Sequence, residues 1–354
     1  MKYKTSLASA LAAAVAALGL LAGGQPAISA TAEATELVVR GAGATFPQPL
    51  YQRWMQEYAK VDTGVRFSYE GVGSGSGVKR FLEGSVDFGA SDAAMSDSEL
   101  AKVDPKRGVE MIPMTAGMVV LAYNIPGVPE GLRLSRALYA DILAGKVGFW
   151  DDARIQESNP DLTLPHLAIV TVVRRDSSGT TYVITNHLAR IDPDWETSGP
   201  GIGKRVDWPG SAMEVQGNEG VARRVQITDG AIGYMAYEFA KQLDLPIATL
   251  QNKAGNFVEP GPLTGQAALA SAEEIPENLR VYLPDPAGAD AYPIVSYTWL
   301  LLDGRYPDPA KAEALKAALG WGLDEGQTIA AEMGYIPLPD RMIGKAKEAL
   351  GRIR

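Results

Sequence analysis

The segment VVRRDSSGTT, residues 172–181, runs from an apolar β-branched pair through a polar turn into residues that suit the start of a helix. Valine favours strands, whereas serine and threonine beside glycine are typical of a helix N-terminus. The same order of strand, turn and helix recurs around residues 41–51 and 70–80. Repeated strand–helix alternation predicts an α/β fold with mostly parallel sheets.

The rest of the chain continues this alternation. Apolar runs predict strands at residues 37–39, 65–69, 118–123, 167–173 and 297–302. Amphipathic stretches predict helices at residues 49–59, 77–83, 180–189 and 310–321. Glycine and proline in residues 251–265 predict an exposed loop. Two longer apolar segments, residues 112–123 and 292–302, fit either central strands or a paired hinge between domains.

The beginning of the chain has the features of an export signal. Two lysines precede an apolar stretch at residues 7–21, and Ala-Thr-Ala at residues 30–32 offers a cleavage site. This order predicts a signal peptide over residues 1–32, cleaved near Ala32, and therefore an exported, periplasmic protein. The apolar stretch is shorter than the about 20 residues of a membrane-spanning helix, although a retained anchor is the alternative. The about 320 residues that remain correspond to roughly two domains.

The composition excludes several chemistries. The chain has no cysteine and two histidines, His166 and His187. Thiol catalysis and cysteine-ligated metal sites are therefore excluded, and a multi-histidine metal centre is not expected. Removal of residues 1–32 takes away two of the 33 basic residues and none of the 42 acidic ones, which leaves a net charge of −11. This charge argues against nucleic acid or an anionic membrane as the main partner, but not against a small anion in a local site.

The loops at residues 41–51 and 70–80 carry candidate donors for an anion. Thr45 suits a helix N-cap, and a helix N-terminus presents free amides to an anion. Ser74 and Ser76 add hydroxyls among glycines that allow close approach. The alternatives are an ordinary capped turn and a flexible linker. The second loop also imitates a dinucleotide-binding fingerprint but lacks its third glycine.

The segment at residues 172–181 supplies a charged donor. Arg174 offers a planar guanidinium suited to oxyanions, and Asp176 is placed to pair with it. Ser178, Gly179 and Thr180 would add hydroxyls and amides at the new helix start. The Gly-Lys-Ser/Thr ending of a P-loop is absent, and a surface turn with a local salt bridge is the alternative.

Asp92 follows a predicted strand and would emerge at its carboxyl end, where α/β folds bind ligands. Phosphate near neutral pH still carries a proton that it can donate to a carboxylate, whereas sulfate carries none. An acceptor at this position would therefore favour phosphate over its isosteric competitor. A capping aspartate in a turn is the alternative.

Together these segments resemble the family of periplasmic phosphate-binding proteins of high-affinity phosphate ABC transporters. The similar stretches cover nearly the whole chain after residue 32 and read GAGATFPQPLYQRW, GVGSGSGVK, VDFGASDAAMSD, FWDDARIQESNP, RRDSSGTT, GNEGVARRV and DGAIGYMAYEFAKQ. The resemblance implies a type II periplasmic-binding-protein fold, with two α/β domains and a cleft, joined by two crossing hinge strands. Domain I would comprise residues 33–117 and 295–354, and domain II residues 118–294.

The resemblance also implies a set of phosphate-binding residues. These are Thr45, Phe46, Ser74, Asp92, Arg174, Ser178, Gly179 and Thr180, with Asp176 as the salt-bridge partner of the arginine. Counting back from the Ser-Gly-Thr group selects Arg174 over Arg175. The second loop departs from the family in its order of glycine and serine, which leaves the role of Ser76 open. Ser177 replaces a glycine that is common in the family, outside the expected contacts.

The resemblance implies a binding protein without catalysis, cofactor or metal. It would capture inorganic phosphate, act as a monomer and deliver its ligand to the membrane permease subunits of an ABC transporter. An exported phosphatase or esterase is an alternative, but it would need a nucleophile with a nearby base, and the motif of Ser178 contains no histidine. A different oxyanion or a phosphorylated small molecule is the other alternative.

Overall fold

The computed structural model describes residues 36–354 apart from residue 273, so the predicted signal peptide, residues 1–32, lies outside the described residues. Within the part described, no helix has both the length and the apolar character needed to cross a membrane. The strands are β1 (Leu37–Gly43), β2 (Val65–Gly71), β3 (Phe88–Ser91), β4 (Glu110–Asn124), β5 (Arg133–Leu134), β6 (Val170–Arg174), β7 (Met213–Val215), β8 (Ala231–Ala236), β9 (Thr249–Gln251), β10 (Phe257–Val258) and β11 (Val295–Leu302).

Helices alternate with these strands along the chain. They are α1 (Gln48–Tyr58), α2 (Ser74–Leu82), α3 (Asp97–Leu100), α4 (Arg136–Leu143), α5 (Ala153–Ser158), α6 (Gly179–Ile191), α7 (Gly217–Ile227), α8 (Tyr237–Gln242), α9 (Pro262–Leu269), α10 (Pro309–Leu323), α11 (Glu325–Glu332) and α12 (Asp340–Leu350). The predicted α/β class is therefore confirmed.

An eight-stranded sheet in the order β2-β1-β3-β11-β4-β8-β6-β7 organises the molecule. We call β1, β2, β3 and β11 the first strand group, and β6, β7 and β8 the second strand group. A smaller sheet has the order β10-β9-β5. In the sequence, β5 precedes the second group, and β9 and β10 follow it. Pairing is parallel between β1 and both of its neighbours, and between β6 and both of its neighbours.

Strand β4 lies between the two groups and pairs with a strand of each. Its residues 110–118 pair with β11, and its residues 119–124 pair with β8. The chain just before β11 passes between the two groups at the same place. There the amide of Val119 donates to the carbonyl of Ile294 at 2.9 Å. The two long apolar segments of the sequence are therefore central strands that also connect the two strand groups.

Burial explains why β4 reads as an almost unbroken apolar run. Every residue of β4 from Met111 to Tyr123 is buried. Strands covered on both faces lose the polar alternation of a half-exposed strand. The same holds for β11, all of whose residues are buried. The centre of the sheet is thus the core of the molecule.

The predicted strands and helices are confirmed. Their ends shift by a few residues, except that β4 begins at Glu110, eight residues before the predicted strand. The prediction of mostly parallel pairing holds at both ends of the sheet and is wrong at its centre, where β11 is antiparallel to both neighbours and β4 is antiparallel to β8. The predicted loop at residues 251–265 is also wrong in part. It contains the end of β9, all of β10 and the start of α9, because glycine and proline there serve a two-strand hairpin and the first turn of a helix.

Candidate functional site

The predicted ligand residues lie where strands of both groups end. Thr45 and Phe46 follow β1, and Asp92 follows β3. Parallel pairing brings these strand ends to one edge of the sheet. On the other side, Arg174 is the last residue of β6 and Ser178 directly precedes α6. Ligands of open α/β sheets bind at such carboxyl ends.

Arg174 is held rigidly by Asp176. Its Nε donates to Asp176 Oδ1 at 2.7 Å and its Nη2 to Asp176 Oδ2 at 2.5 Å. Burial opposes ionisation of Asp176, but the hydrogen bonds and charge of Arg174 and the amide of Gly217 keep its pKa below the ordinary value. Arg174 is 3% exposed, whereas Arg175 is exposed to solvent. The structure thus places Arg174, and not Arg175, inside the protein and pairs it with Asp176.

Asp92 is a buried carboxyl with hydrogen-bond donors around it. Thr298 of β11 donates to its Oδ1 at 2.9 Å, and Ser74 donates to its Oδ2 at 3.4 Å. Burial is the largest influence and raises the pKa of Asp92 to about 7, although Thr298, the charge of Arg174 and Ser74 lower it. The group can therefore accept a proton or a hydrogen bond near neutral pH.

This raised pKa makes the stability of the ligand-free protein depend on pH. The folded state holds the Asp92 proton more tightly than the unfolded state, so the associated stability is present at low pH and is lost as pH rises through about 7. We expect the free energy of unfolding to fall, relative to Asp92→Asn, by at most about 4 kcal/mol between about pH 4 and pH 7. Urea unfolding of both proteins without phosphate at several pH values measures this difference.

Comparison with Asp92→Asn isolates the carboxyl, because the amide has the same shape and does not titrate. Other buried titratable groups, such as Glu238, contribute equally to both proteins and cancel. Parallel pH profiles for the two proteins would show that Asp92 does not keep its proton in the folded state.

The segments that follow the strands of the two groups contact each other at glycines. A Cβ atom on Gly179 would lie 2.7 Å from Asp92 Oδ2 and would also collide with Ser74 Oγ. Gly73 has a φ of +89° and a Cβ there would lie 2.9 Å from the carbonyl of Ser177. Only glycine allows backbone to approach this closely. The loop between β6 and α6 therefore packs directly against the residues that follow β2 and β3.

Hydrogen bonds and an ion pair join the same surfaces. The amide of Gly75 donates to the carbonyl of Ser177 at 2.9 Å. Lys204 pairs with Glu99 at 2.8 Å, and the amide of Ser178 donates to the carbonyl of Lys204 at 2.7 Å. These contacts describe a closed cleft between the strand groups.

Helix α6 begins at the site. Ser178 is its N-cap, and its Oγ accepts from the amide of Thr181 at 3.1 Å. The amides of Gly179 and Thr180 are the first two of the helix and have no acceptor within it. Together with the Ser178 and Thr180 hydroxyls, this helix end offers several donors to an anion.

The loop after β1 differs from the prediction in one respect. Pro47, not Thr45, is the N-cap of α1 and makes no side-chain capping bond. Thr45 Oγ1 instead accepts from the side-chain amide of Asn218 at 2.9 Å, across the cleft. Phe46 packs its ring into the core against Tyr335 and is 1% exposed, so only its backbone can contact a ligand. Ser76 is half-buried.

Two residues at the site were not predicted. Asn218 lies at the start of α7 and contacts Thr45, and Thr298 lies on β11 and contacts Asp92. Asn218 belongs to the stretch GNEGVARRV, which carried no assigned role. Thr298 is separated from Asp92 by 206 residues, and only the antiparallel register of β11 with β3 brings the two together.

The chemical character of this site is that of an anion receptor. It combines one guanidinium, a helix N-terminus and several hydroxyls with a single carboxyl acceptor. His187 is engaged by Tyr139 at 2.8 Å and by the carbonyl of Pro284 at 2.6 Å, away from Ser178. Over residues 36–354, residue 273 aside, no cluster of three or more histidine, aspartate or glutamate side chains could hold a metal ion.

The chain is similar to known proteins over most of its length. A family model described as a PBP superfamily domain matches residues 26–324. A phosphate-binding protein PstS of Methanocaldococcus jannaschii is 36% identical over 95% of this chain and 91% of its own length. One of Pasteurella multocida is 37% identical over 87% of this chain and 88% of its own length.

A solved structure shares the fold. A high-affinity periplasmic phosphate-binding protein bound with phosphate superposes with a TM-score of 0.73 at 21% identity, covering 88% of this chain and 93% of the other. The fold is therefore the predicted type II periplasmic-binding-protein fold. The family model and the curated relatives each span most of the sequence, and the chain belongs to the PstS phosphate-binding protein family of the PBP superfamily.

Proposed function

We propose that this protein captures inorganic phosphate in the cleft between its two strand groups and delivers it to an ABC importer. Its relatives are named phosphate-binding proteins. The ligand would be held by Arg174, by the amides and hydroxyls at the start of α6, by Ser74 and by the loop after β1. The proposed contacts are Thr45, Phe46, Ser74, Asp92, Arg174, Ser178, Gly179 and Thr180, with Asp176 holding the arginine.

The buried carboxyl of Asp92 is the main support for this proposal. A buried carboxyl is unfavourable in a site built for a fully deprotonated anion, because it would face the anion's oxygens with no proton between them. Phosphate carries a proton at neutral pH and can donate it to Asp92. Thr298 donates a hydrogen bond to one oxygen of Asp92 and Ser74 donates to the other. Each carboxylate oxygen can accept a second hydrogen bond, so the carboxyl can still accept the proton of the ligand. The donors then bind the remaining phosphate oxygens.

Closure of two domains would enclose the ligand. We place domain I at residues 33–117 and 295–354 and domain II at residues 118–294. The pairing of β4 supports this division, since its partner changes from β11 to β8 between Met118 and Val119. A rotation at this point would separate Gly179 from Asp92 and open the cleft.

The chain would be exported to the periplasm after cleavage near Ala32 and would act as a monomer. Its partners would be phosphate and the membrane permease subunits of the transporter, and nucleic acid would not be among them. Binding by fixed donors needs no cofactor or metal and no catalytic residue.

Isothermal titration calorimetry of the chain from residue 33 onward tests this function. We expect tight binding of phosphate and of arsenate, which also carries a proton, and binding of sulfate weaker by about 100-fold or more. Asp92→Asn should reduce the ratio of phosphate to sulfate affinity by at least about tenfold, because an amide can donate to sulfate. A protein that binds sulfate as well as phosphate would refute the proposed role of Asp92, and one that binds neither would refute the function.

A further inference from the structure

Asn218 lies fully buried at the start of α7 and connects residues from both sides of the cleft. Its Nδ2 donates to Thr45 Oγ1 at 2.9 Å and lies 3.5 Å from Thr180 Oγ1. Its backbone amide also donates to Thr45 Oγ1, at 3.3 Å. Thr45 follows a strand of the first group, whereas Thr180 lies in the first turn of α6, which follows a strand of the second group.

The orientation of the Asn218 amide is fixed by β8. Its Oδ1 accepts from the backbone amide of Ala236, the last residue of that strand, at 3.0 Å. Because a backbone N–H can only meet an oxygen, the nitrogen of the side chain must face the other way. The Asn218 side chain therefore presents donors, and no acceptor, to Thr45.

This arrangement determines which way the Thr45 hydroxyl points. A hydroxyl has two acceptor lone pairs and one hydrogen. Both donors of Asn218 meet Thr45 Oγ1, so the lone pairs are occupied. Among the described residues no oxygen accepts the Thr45 hydrogen, which is then available to an acceptor in the cleft. An oxyanion supplies such an acceptor.

We infer that Asn218 is a positioning residue for the ligand: it fixes the Thr45 hydroxyl as a donor toward the anion and does so only when the cleft is closed. The contact joins residues on opposite sides of the cleft, so it forms upon closure and breaks upon opening. Asn218 thus strengthens binding by slowing release of the ligand, while capture by the open form does not depend on it. The inference rests on the proposed function.

A double-mutant cycle tests it by stopped-flow and calorimetric measurement of phosphate binding. Asn218→Ala should weaken binding about tenfold, through faster dissociation with little change in the association rate. Thr45→Val removes the hydroxyl at nearly constant shape. In the Thr45→Val background, Asn218→Ala should have almost no further effect, since the group it acts on is gone.

Asn124→Ala is the matched control. Asn124 anchors the opposite end of α7, where its Nδ2 donates to the carbonyls of Val225 and Gln226 at 3.1 and 3.0 Å. Loss of this anchor should lower the stability of the protein without changing the phosphate dissociation rate. A merely structural role for Asn218 would instead give additive effects with Thr45→Val.

If the wild-type protein does not bind phosphate, the proposed function fails. If it binds phosphate but Asn218→Ala is unchanged, or acts equally with and without the Thr45 hydroxyl, the inference about Asn218 fails alone. Should Asn218→Ala not fold, Asn218→Asp keeps the acceptor for Ala236 but offers Thr45 no side-chain donor, so it should bind phosphate more weakly than wild type. Wild-type affinity in that variant would overturn the inference.

Discussion

Arg174→Met is expected to weaken phosphate binding by about a thousandfold, since breaking a buried charge pair at a binding site costs about 2–5 kcal/mol or more. The substitution keeps most of the side-chain volume and removes the charged donors. It also leaves Asp176, which is partly buried beside the site, without the cation that neutralises it. Its charge would then repel the incoming anion. Calorimetric titration with phosphate measures the change.

The neighbouring arginine provides the control. Arg175→Met removes an equal charge one residue along the chain, but from a side chain exposed to solvent. It should change phosphate affinity by less than about threefold at physiological ionic strength, where screening weakens exposed charges. Equal losses in the two variants would mean that net charge near the cleft, and not the inward arginine, governs binding.

Gly179→Ala is expected to reduce phosphate affinity by about 100-fold or more, because it obstructs closure of the cleft. The added Cβ would overlap Ser74 Oγ and approach Asp92 Oδ2 to 2.7 Å. Helix α6 itself accepts alanine readily, because Gly179 lies in helical backbone and alanine is the better helix former. Alanine should therefore abolish the phosphate-induced stabilisation in a thermal melt without weakening α6 itself.

A second glycine in a helix separates closure from helix effects. Among the described residues, its own helix backbone and chain neighbours aside, no atom lies within 4 Å of a Cβ built on Gly344 in α12. Gly344→Ala should bind phosphate as the wild type does. If Gly179→Ala also bound phosphate normally, the closed contact between Gly179 and Asp92 would not be part of the ligand-bound state.

The sequence predicted the local pieces of the site well. Each ligand loop follows a strand and precedes a helix, and that order depends on neighbouring residues alone. The Arg174–Asp176 pair was predictable for the same reason, since its members are two residues apart. The resemblance to phosphate-binding proteins added the fold and the grouping of four distant loops into one cleft.

The unpredicted features depend on contacts between distant parts of the chain. Thr298 reaches Asp92 through the register of β11, and no local pattern encodes that register. Thr45 does not cap α1 as predicted, because its hydroxyl instead accepts a hydrogen bond from Asn218 across the closed cleft. The antiparallel centre of the sheet arises likewise from the return of the chain through β11.

The position of β11 has a consequence for how the chain acquires its structure. β11 lies between β3 and β4, so the first strand group is incomplete until residues 295–302 have been synthesised. The pairing of Trp299 with Ser91 closes a loop of about 200 residues, and contacts of such high sequence separation form slowly. A nascent chain therefore cannot assemble its central sheet before nearly all of it has left the ribosome. For a protein proposed to be exported, this delay would leave the central sheet unformed while the chain is being passed across the membrane.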